Sequence, residues 1–117
     1  MDIPMILRRP FDKPRLENPH GVDSRKLYSA PEASIIHLTL QPGEKLRRHK
    51  TPVHVNFYVL EGNGVVLIGD EKKAVEKDTL IESPAKITHC WYNESDSILR
   101  ILVIKTPKPT EPTEFLD

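Results

Sequence analysis

The sequence predicts an all-β protein, an antiparallel sandwich or barrel built as one domain. From Ala33 onward, short runs rich in branched and aromatic residues alternate with turn residues, a pattern typical of strands. No segment carries the helical apolar period for more than about two turns. The chain has 117 residues, enough for one hydrophobic core and too few for two domains of ordinary size.

The strands follow one another at short intervals and number about seven or eight. The first clear one is ASIIHLTL, which ends at the turn Gln41-Pro42-Gly43. The others are EKLRRHK, VNFYVLEG, a hairpin VVLIGDEKKAVE that turns at Gly69-Asp70, TLIES, KITHCWYN and SILRILVIK. Such spacing, with turn signals between the segments, favours antiparallel pairing around a barrel.

Proline marks both ends of the chain. Prolines at 4, 10, 14, 19 and 31 divide the first third into pieces too short for a helix. We therefore expect an extended or looped arm over residues 1–30, a barrel over 31–106 and a proline-rich acidic tail over 107–117. The tail composition predicts a flexible segment, or one that is ordered only against a neighbour.

Charge and cysteine content narrow the function classes. Lys plus Arg and Asp plus Glu are 17 each, so no overall field attracts nucleic acid or an anionic membrane. The single cysteine excludes an intramolecular disulfide and fits a reducing compartment. Because the first residues do not resemble a signal peptide and no apolar run approaches a membrane span, we expect a cytoplasmic protein with a small-molecule ligand.

Three histidines are candidate metal ligands. His49 and His54 lie on either side of Pro52, and His89 lies on a later predicted strand. Proline cannot donate to a strand ladder, so a bend there could turn His54 to the same side as His49. A single strand histidine more often packs or forms one hydrogen bond, but three that converge would bind a divalent ion and leave coordination positions open.

The segments PGEKLRRHKTPVHVNFYVLEGNG and SPAKITHCWYN resemble the two sequence motifs of the cupin superfamily, over Pro42 to Asn93. The residues that match are Gly43, His49 and Gly62 in the first motif, and Pro84, His89 and Asn93 in the second.

Four positions depart from the motifs. Thr51 stands where the family has a second histidine, and His54 falls at or next to the place of a glutamate. Lys77 and Lys86 replace the two glycines of the second motif.

The resemblance implies a double-stranded β-helix, the jelly-roll barrel of small cupins, and a homodimer formed by sheet extension and exchanged arms. It also implies a site for one divalent transition metal, held here by His49, His54 and His89. The same imidazoles suit Fe, Zn, Ni, Mn or Cu, so the sequence does not select the ion. The alternative is a cupin that has lost its metal and keeps a polar pocket.

Strand alternation from the ligand positions predicts the rest of the pocket. The expected substrate-binding residues are Arg47, Thr51, Asn56, Tyr58 and Trp91. Arg47 could clamp an anionic oxygen, or it could belong to a solvated basic strand edge. Tyr58 and Trp91 could equally be core aromatics, and Thr51 could hydrogen-bond a metal-bound water.

The leading functional hypothesis is a metal-dependent enzyme, dioxygenase-like, that acts on a small oxygen-rich molecule. A sugar or sugar-acid isomerase or decarboxylase is the competing enzyme, and a non-catalytic small-molecule-binding cupin is the alternative from another class. The sequence does not identify catalytic residues.

Overall fold

A computed structural model describes residues 2–116; Met1 and Asp117, the outermost residues of the predicted arm and tail, lie outside the described residues. A short 3-10 turn at Pro10–Asp12 precedes ten strands. They are β1 (Asp23–Ala30), β2 (Ala33–Leu40), β3 (His49–Lys50), β4 (His54–Glu61), β5 (Gly64–Ile68), β6 (Glu71–Val75), β7 (Leu80–Ser83), β8 (Thr88–Tyr92), β9 (Leu99–Thr106) and β10 (Glu114–Phe115).

The strands form two five-stranded antiparallel sheets. The first sheet has the order β1-β2-β9-β4-β7, and the second has the order β10-β3-β8-β5-β6. Within residues 2–116 the 3-10 turn is the only helical element, which confirms the all-β prediction. No helix in this range has the length and apolar character needed to cross a membrane.

The core fills the space between the two sheets, where alternate strand residues point inward. On β4 the inward residues Val55, Phe57 and Val59 are almost fully buried. The largest fully buried side chains include Trp91 of β8, Phe57 of β4, Leu40 of β2 and Leu99 and Ile101 of β9. Each of these branched or aromatic residues removes apolar surface from water on folding, which is the main stabilising contribution.

The turn between β4 and β5 explains a motif glycine. Gly62 has φ +83°, and a Cβ built on it would overlap the carbonyl oxygen of Ile98. Gly43, the first motif glycine, has a similar φ of +86° but nothing within 4 Å of the same position. Gly62 is therefore required both by its conformation and by the close approach of a second backbone.

The second motif keeps the left-handed backbone conformations typical of glycine, although it has no glycine. Lys86 has φ +67°, the left-handed conformation that favours glycine. Among the described residues, the other non-glycine residue with a left-handed conformation is Asp78, with φ +64°, one position beyond the Lys77 assigned to this role from the sequence. The loop at Lys86 also contacts the site directly, because its N–H donates to the carbonyl of Thr51 at 2.8 Å.

The predicted arm and tail are more ordered than their composition indicates. The last eight residues of the arm form β1, and residues 2–9 have no regular structure. The tail crosses the barrel rather than leaving it, since β10 pairs with β3 and Phe115 lies opposite His49. The end of the tail therefore belongs to the second sheet.

A buried histidine lies on the outer face of the first sheet, away from the core between the sheets. His37 of β2 is fully buried, and Nε of Arg100 donates to its Nε2 at 3.0 Å. The Phe11 ring covers it edge-on, with 5.3 Å between ring centroids. Burial, with the Arg100 charge second, lowers the pKa of His37 from 6.5 to about 4.

We predict that Gly62→Ala destabilises the protein by about 2 kcal/mol or more, because left-handed strain adds to the clash with Ile98. Gly43→Ala, the matched control, has the strain without the clash and is expected to cost about 1 kcal/mol. Urea denaturation of both variants measures the difference. Equal losses would contradict the close-approach argument.

We predict that stability falls as the pH drops from about 6.5 to about 4 and that His37 contributes on the order of 2 kcal/mol of the loss. The unfolded chain takes up this proton near pH 6.5 and the folded chain only near pH 4, so the contribution is complete above 6.5. Denaturation across this range, with chelator present, should show a smaller pH slope for His37→Leu. An unchanged slope would contradict the assignment.

We predict a homodimer in solution that depends on the arm. The apolar residues Ile3, Met5, Ile6 and Leu7 are exposed on this segment, and β1 next to it is an edge strand of the first sheet. Removing residues 1–8 should weaken self-association in sedimentation without unfolding the barrel. A full-length chain that is monomeric at micromolar concentration would rule the dimer out.

Candidate functional site

A cavity of about 180 Å³ lies between the two sheets. Both sheets, the loop before β1 and the C-terminal strand contribute to its wall. It is lined by Asn18, Pro19, His20, Ser24, Ile36, Leu38, Leu46, His49, Thr51, Phe57, His89, Val103, Lys105, Thr113 and Phe115. Three histidines and one lysine thus share a small, largely apolar space.

Two of these histidines form a close pair. β3 and β8 are neighbours in the second sheet, and their register sets His49 opposite His89. The two Nε2 atoms are 3.0 Å apart, and both side chains are buried. Two lone pairs repel at that distance, so either one nitrogen carries a proton and donates to the other, or both face a common ion.

The backbone of Arg47 fixes the tautomers of two histidines. Its carbonyl lies 2.6 Å from Nδ1 of His49 and accepts the proton there, which leaves a lone pair on Nε2 of His49. Its N–H donates to Nδ1 of His20 at 2.8 Å, so a neutral His20 carries its proton on Nε2. His49 therefore presents an acceptor or ligand atom, whereas His20 presents a donor.

His89 is held by two hydroxyl groups. Ser83 Oγ of β7 lies 2.7 Å from its Nδ1, and Thr51 Oγ1 lies 3.2 Å from its Nε2. Since Nε2 of His49 carries a lone pair, His89 donates from Nε2 in the absence of an ion, and Ser83 then donates to Nδ1. A hydroxyl can reverse its direction, so the same contacts also support His89 with a free Nε2 lone pair.

All three imidazoles are held in the neutral form. Burial lowers the pKa of His89 to about 3 and that of His20 to about 4, and it also lowers the pKa of His49. Positive charge at Lys105 shifts each of them in the same direction. Neutral imidazole is the form that binds a metal or accepts a proton, so the site is prepared for either role.

Lys105 is a cavity residue that the sequence analysis missed. It lies on β9, pairs in register with Val55 of β4, and shares the inward parity of Val103. Burial lowers the pKa of its ammonium group. The parity of SILRILVIK could have identified it, because Leu99, Ile101 and Val103 are buried at alternate positions and Lys105 is the next in that series.

His20 is the second missed residue. Its ring centroid lies 4.9 Å from that of His49 and 5.4 Å from that of Phe115. These contacts join the arm, β3 and the C-terminal strand. No local pattern around His20 signals this position, because it depends on a contact between residues 27 apart in the chain.

The structure brings together His49, His89 and Thr51 but leaves His54 outside the cavity. After β3 the chain crosses from the second sheet to the first, and β4 begins at His54 with Val55 as its first inward residue. Pro52 therefore lies in a crossing between sheets and not in a bulge within one strand. Within residues 2–116, no group of three or more His, Cys, Asp or Glu side chains is arranged to hold a metal.

The remaining predicted pocket residues lie elsewhere. Asn56 and Tyr58 share the outer face of β4 with His54, and the Tyr58 hydroxyl donates to Asp78 at 3.2 Å. Trp91 is in the core behind Phe57, with 5.5 Å between ring centroids, and does not line the cavity. The Arg47 guanidinium lies 4.8 Å from the Phe115 ring centroid, so the Arg47 side chain packs against a wall residue and does not itself line the cavity.

Comparisons with known proteins agree with this architecture. The uncharacterized protein MJ1618 of Methanocaldococcus jannaschii is 31% identical over 94 residues, which is 78% of this chain and 74% of that protein. The polyketide cyclase RemF from Streptomyces resistomycificus superposes with a TM-score of 0.82 at 19% identity, over 97% of this chain and 86% of the cyclase. A predicted oxalate decarboxylase from Thermotoga maritima gives a TM-score of 0.75 at 20% identity, over 86% and 99% of the two chains.

The model of the family described as Cupin domain matches residues 36–105, a range that begins in β2, ends in β9 and contains both His49 and His89. It covers more than half of the chain, and the double-stranded β-helix predicted from the motifs agrees with the two sheets observed. The chain belongs to the cupin family.

Proposed function

We propose that this cupin is a metal-dependent enzyme, dioxygenase-like, that binds a small oxygen-rich organic molecule in the cavity. The observation that supports it most directly is the 3.0 Å separation of the His49 and His89 Nε2 atoms. Two nitrogens that bind one ion at right angles, each about 2.1 Å from it, lie about 3.0 Å apart. Iron, zinc, nickel, manganese and copper remain the candidate ions.

The available donors fit a two-imidazole ligand set better than a three-imidazole one. Nε2 of His49 has its lone pair free, and His89 gains one if Ser83 accepts its Nδ1 proton. His20 does not add a third nitrogen, because its accepting Nδ1 leaves the proton on Nε2. Thr51 offers only a neutral hydroxyl. Water and oxygens of the bound molecule would complete the coordination.

A divalent ion at this position would supply Lewis acidity toward the oxygens of the bound molecule. The residues of the chain would orient the ligands, donate to the substrate and exclude water. The Arg47 carbonyl fixes the His49 ring, and the Nε2–H of His20 can donate to a substrate oxygen. Apolar residues such as Leu38, Phe57 and Phe115 keep water from most of the wall.

Proton transfer in this cavity would depend on an imidazole. No Asp or Glu is among the described residues that line it, so a carboxylate base is not at hand. With Nε2 of His89 used as a ligand, its Nδ1 can still exchange a proton through the Ser83 hydroxyl. This arrangement serves an oxygen-consuming reaction and an isomerisation or decarboxylation equally well, and oxygen uptake with a turned-over substrate distinguishes them.

Two of the similar structures point toward small-molecule chemistry on this fold. One is named a polyketide cyclase and the other a predicted oxalate decarboxylase. By their names, the first acts on a polyketide and the second is predicted to act on oxalate. That likeness supports the substrate class of the proposal, and binding without turnover would instead favour the non-catalytic cupin.

We predict about one divalent transition metal per protomer in untagged protein purified without chelator, measured by elemental analysis. His49→Ala and His89→Ala should each lower metal affinity by about tenfold or more, because each removes one of two nitrogen ligands. His54→Ala is the matched control and should retain the metal. Metal loss in His54→Ala, or full occupancy in both other variants, would overturn the ligand assignment.

A further inference from the structure

We propose that Lys105 is an anion-binding residue of the cavity and that the ligand is a small organic carboxylate with an apolar body. This inference names the substrate class of the proposed site. It rests on the cavity being the functional site, but it does not depend on the metal.

The position of Lys105 supports the first part of the proposal. Its neighbours across β9 are Ser34 of β2 and Val55 of β4, both on strands of the first sheet. Val103, two residues earlier, lines the same cavity. The lysine side chain therefore enters the space that the histidines occupy from the facing sheet.

The ammonium group has no counter-ion among the described residues. Among residues 2–116, Lys105 makes no ion pair or side-chain hydrogen bond. The described lining residues include no Asp or Glu. A half-buried cation without a partner is unfavourable, and a bound carboxylate would supply the missing charge.

The apolar residues of the cavity wall favour a ligand with an apolar portion. The apolar lining residues are Ile36, Leu38, Leu46, Phe57, Val103 and Phe115. A molecule that places a carboxylate at Lys105 can bury a flat or branched hydrocarbon portion against this surface. The cavity of about 180 Å³ limits the ligand to a small acid. Highly hydroxylated sugars match this lining poorly, because their hydroxyls would lose water without finding enough partners.

Isothermal titration calorimetry with benzoate and benzamide tests the proposal. The two probes have nearly the same shape and differ in charge, and neither chelates a metal as a five-membered ring. The protein is titrated after chelator treatment and again after metal loading. The variants are Lys105→Met, Lys105→Arg and Lys108→Met, the last an exposed lysine on the same chain segment. Lys105→Met removes an unpaired, partly desolvated charge, so it should fold at least as stably as the wild type.

We predict that chelator-treated wild type binds benzoate about tenfold or more tightly than benzamide. Lys105→Met should lose that preference by weakening benzoate binding alone, whereas Lys105→Arg and Lys108→Met should keep it. Equal binding of both probes, no benzoate binding, or full benzoate affinity in Lys105→Met would each overturn the role of Lys105. If metal binding through His49 and His89 fails while the benzoate preference depends on Lys105, the metal proposal fails and the anion site stands.

Discussion

The pairing of β3 with β8 is the constraint on which the site depends. β3 is only two residues long, yet its register sets His49 directly opposite His89. Neighbours secure it on both sides: β10 pairs with its other edge, and the Lys86 loop binds the carbonyl of Thr51. The Nε2 atoms of the two imidazoles are 3.0 Å apart. A shift of one residue in this register would turn His49 to the opposite face of the sheet and separate the two rings.

Arg47 shows how one backbone unit can assign different chemistry to identical side chains. Its carbonyl and its N–H bind the Nδ1 atoms of His49 and His20 respectively, and so leave one ring as an acceptor and the other as a donor. Substitutions of the Arg47 side chain other than to proline leave both of these backbone groups in place. The guanidinium meanwhile packs over Phe115 and helps hold β10 against β3. The residue is thus important to the site through its peptide groups and its packing.

Much of the fold and both of the proposed metal ligands follow from local sequence. Strand alternation, turn glycines and the cupin spacing identify the sheets, His49, His89 and Thr51, since each depends on a period of two or on a motif position. The prediction for His54 requires Pro52 to bend a strand within one sheet, whereas the chain changes sheets there and the inward positions start again at Val55. His20 and Phe115 reach the cavity through contacts distant in sequence, which no local pattern encodes.

Because Val55 and not His54 points into the barrel, the site differs from the prediction in its charge as well as in its ligands. Because His54 falls at or next to the place of the family glutamate and points outward, the inward residue at this place is Val55, which is fully buried. An apolar residue therefore stands where an acidic ligand is expected, and its register partner across the sheet is the cation Lys105. Neutral imidazoles cannot offset either the lysine or a divalent ion, so positive charge in this cavity has no counterpart among the described lining residues. Electrostatic complementarity must then come from whatever the cavity binds, and that requirement favours an acid over a neutral sugar whichever reaction follows.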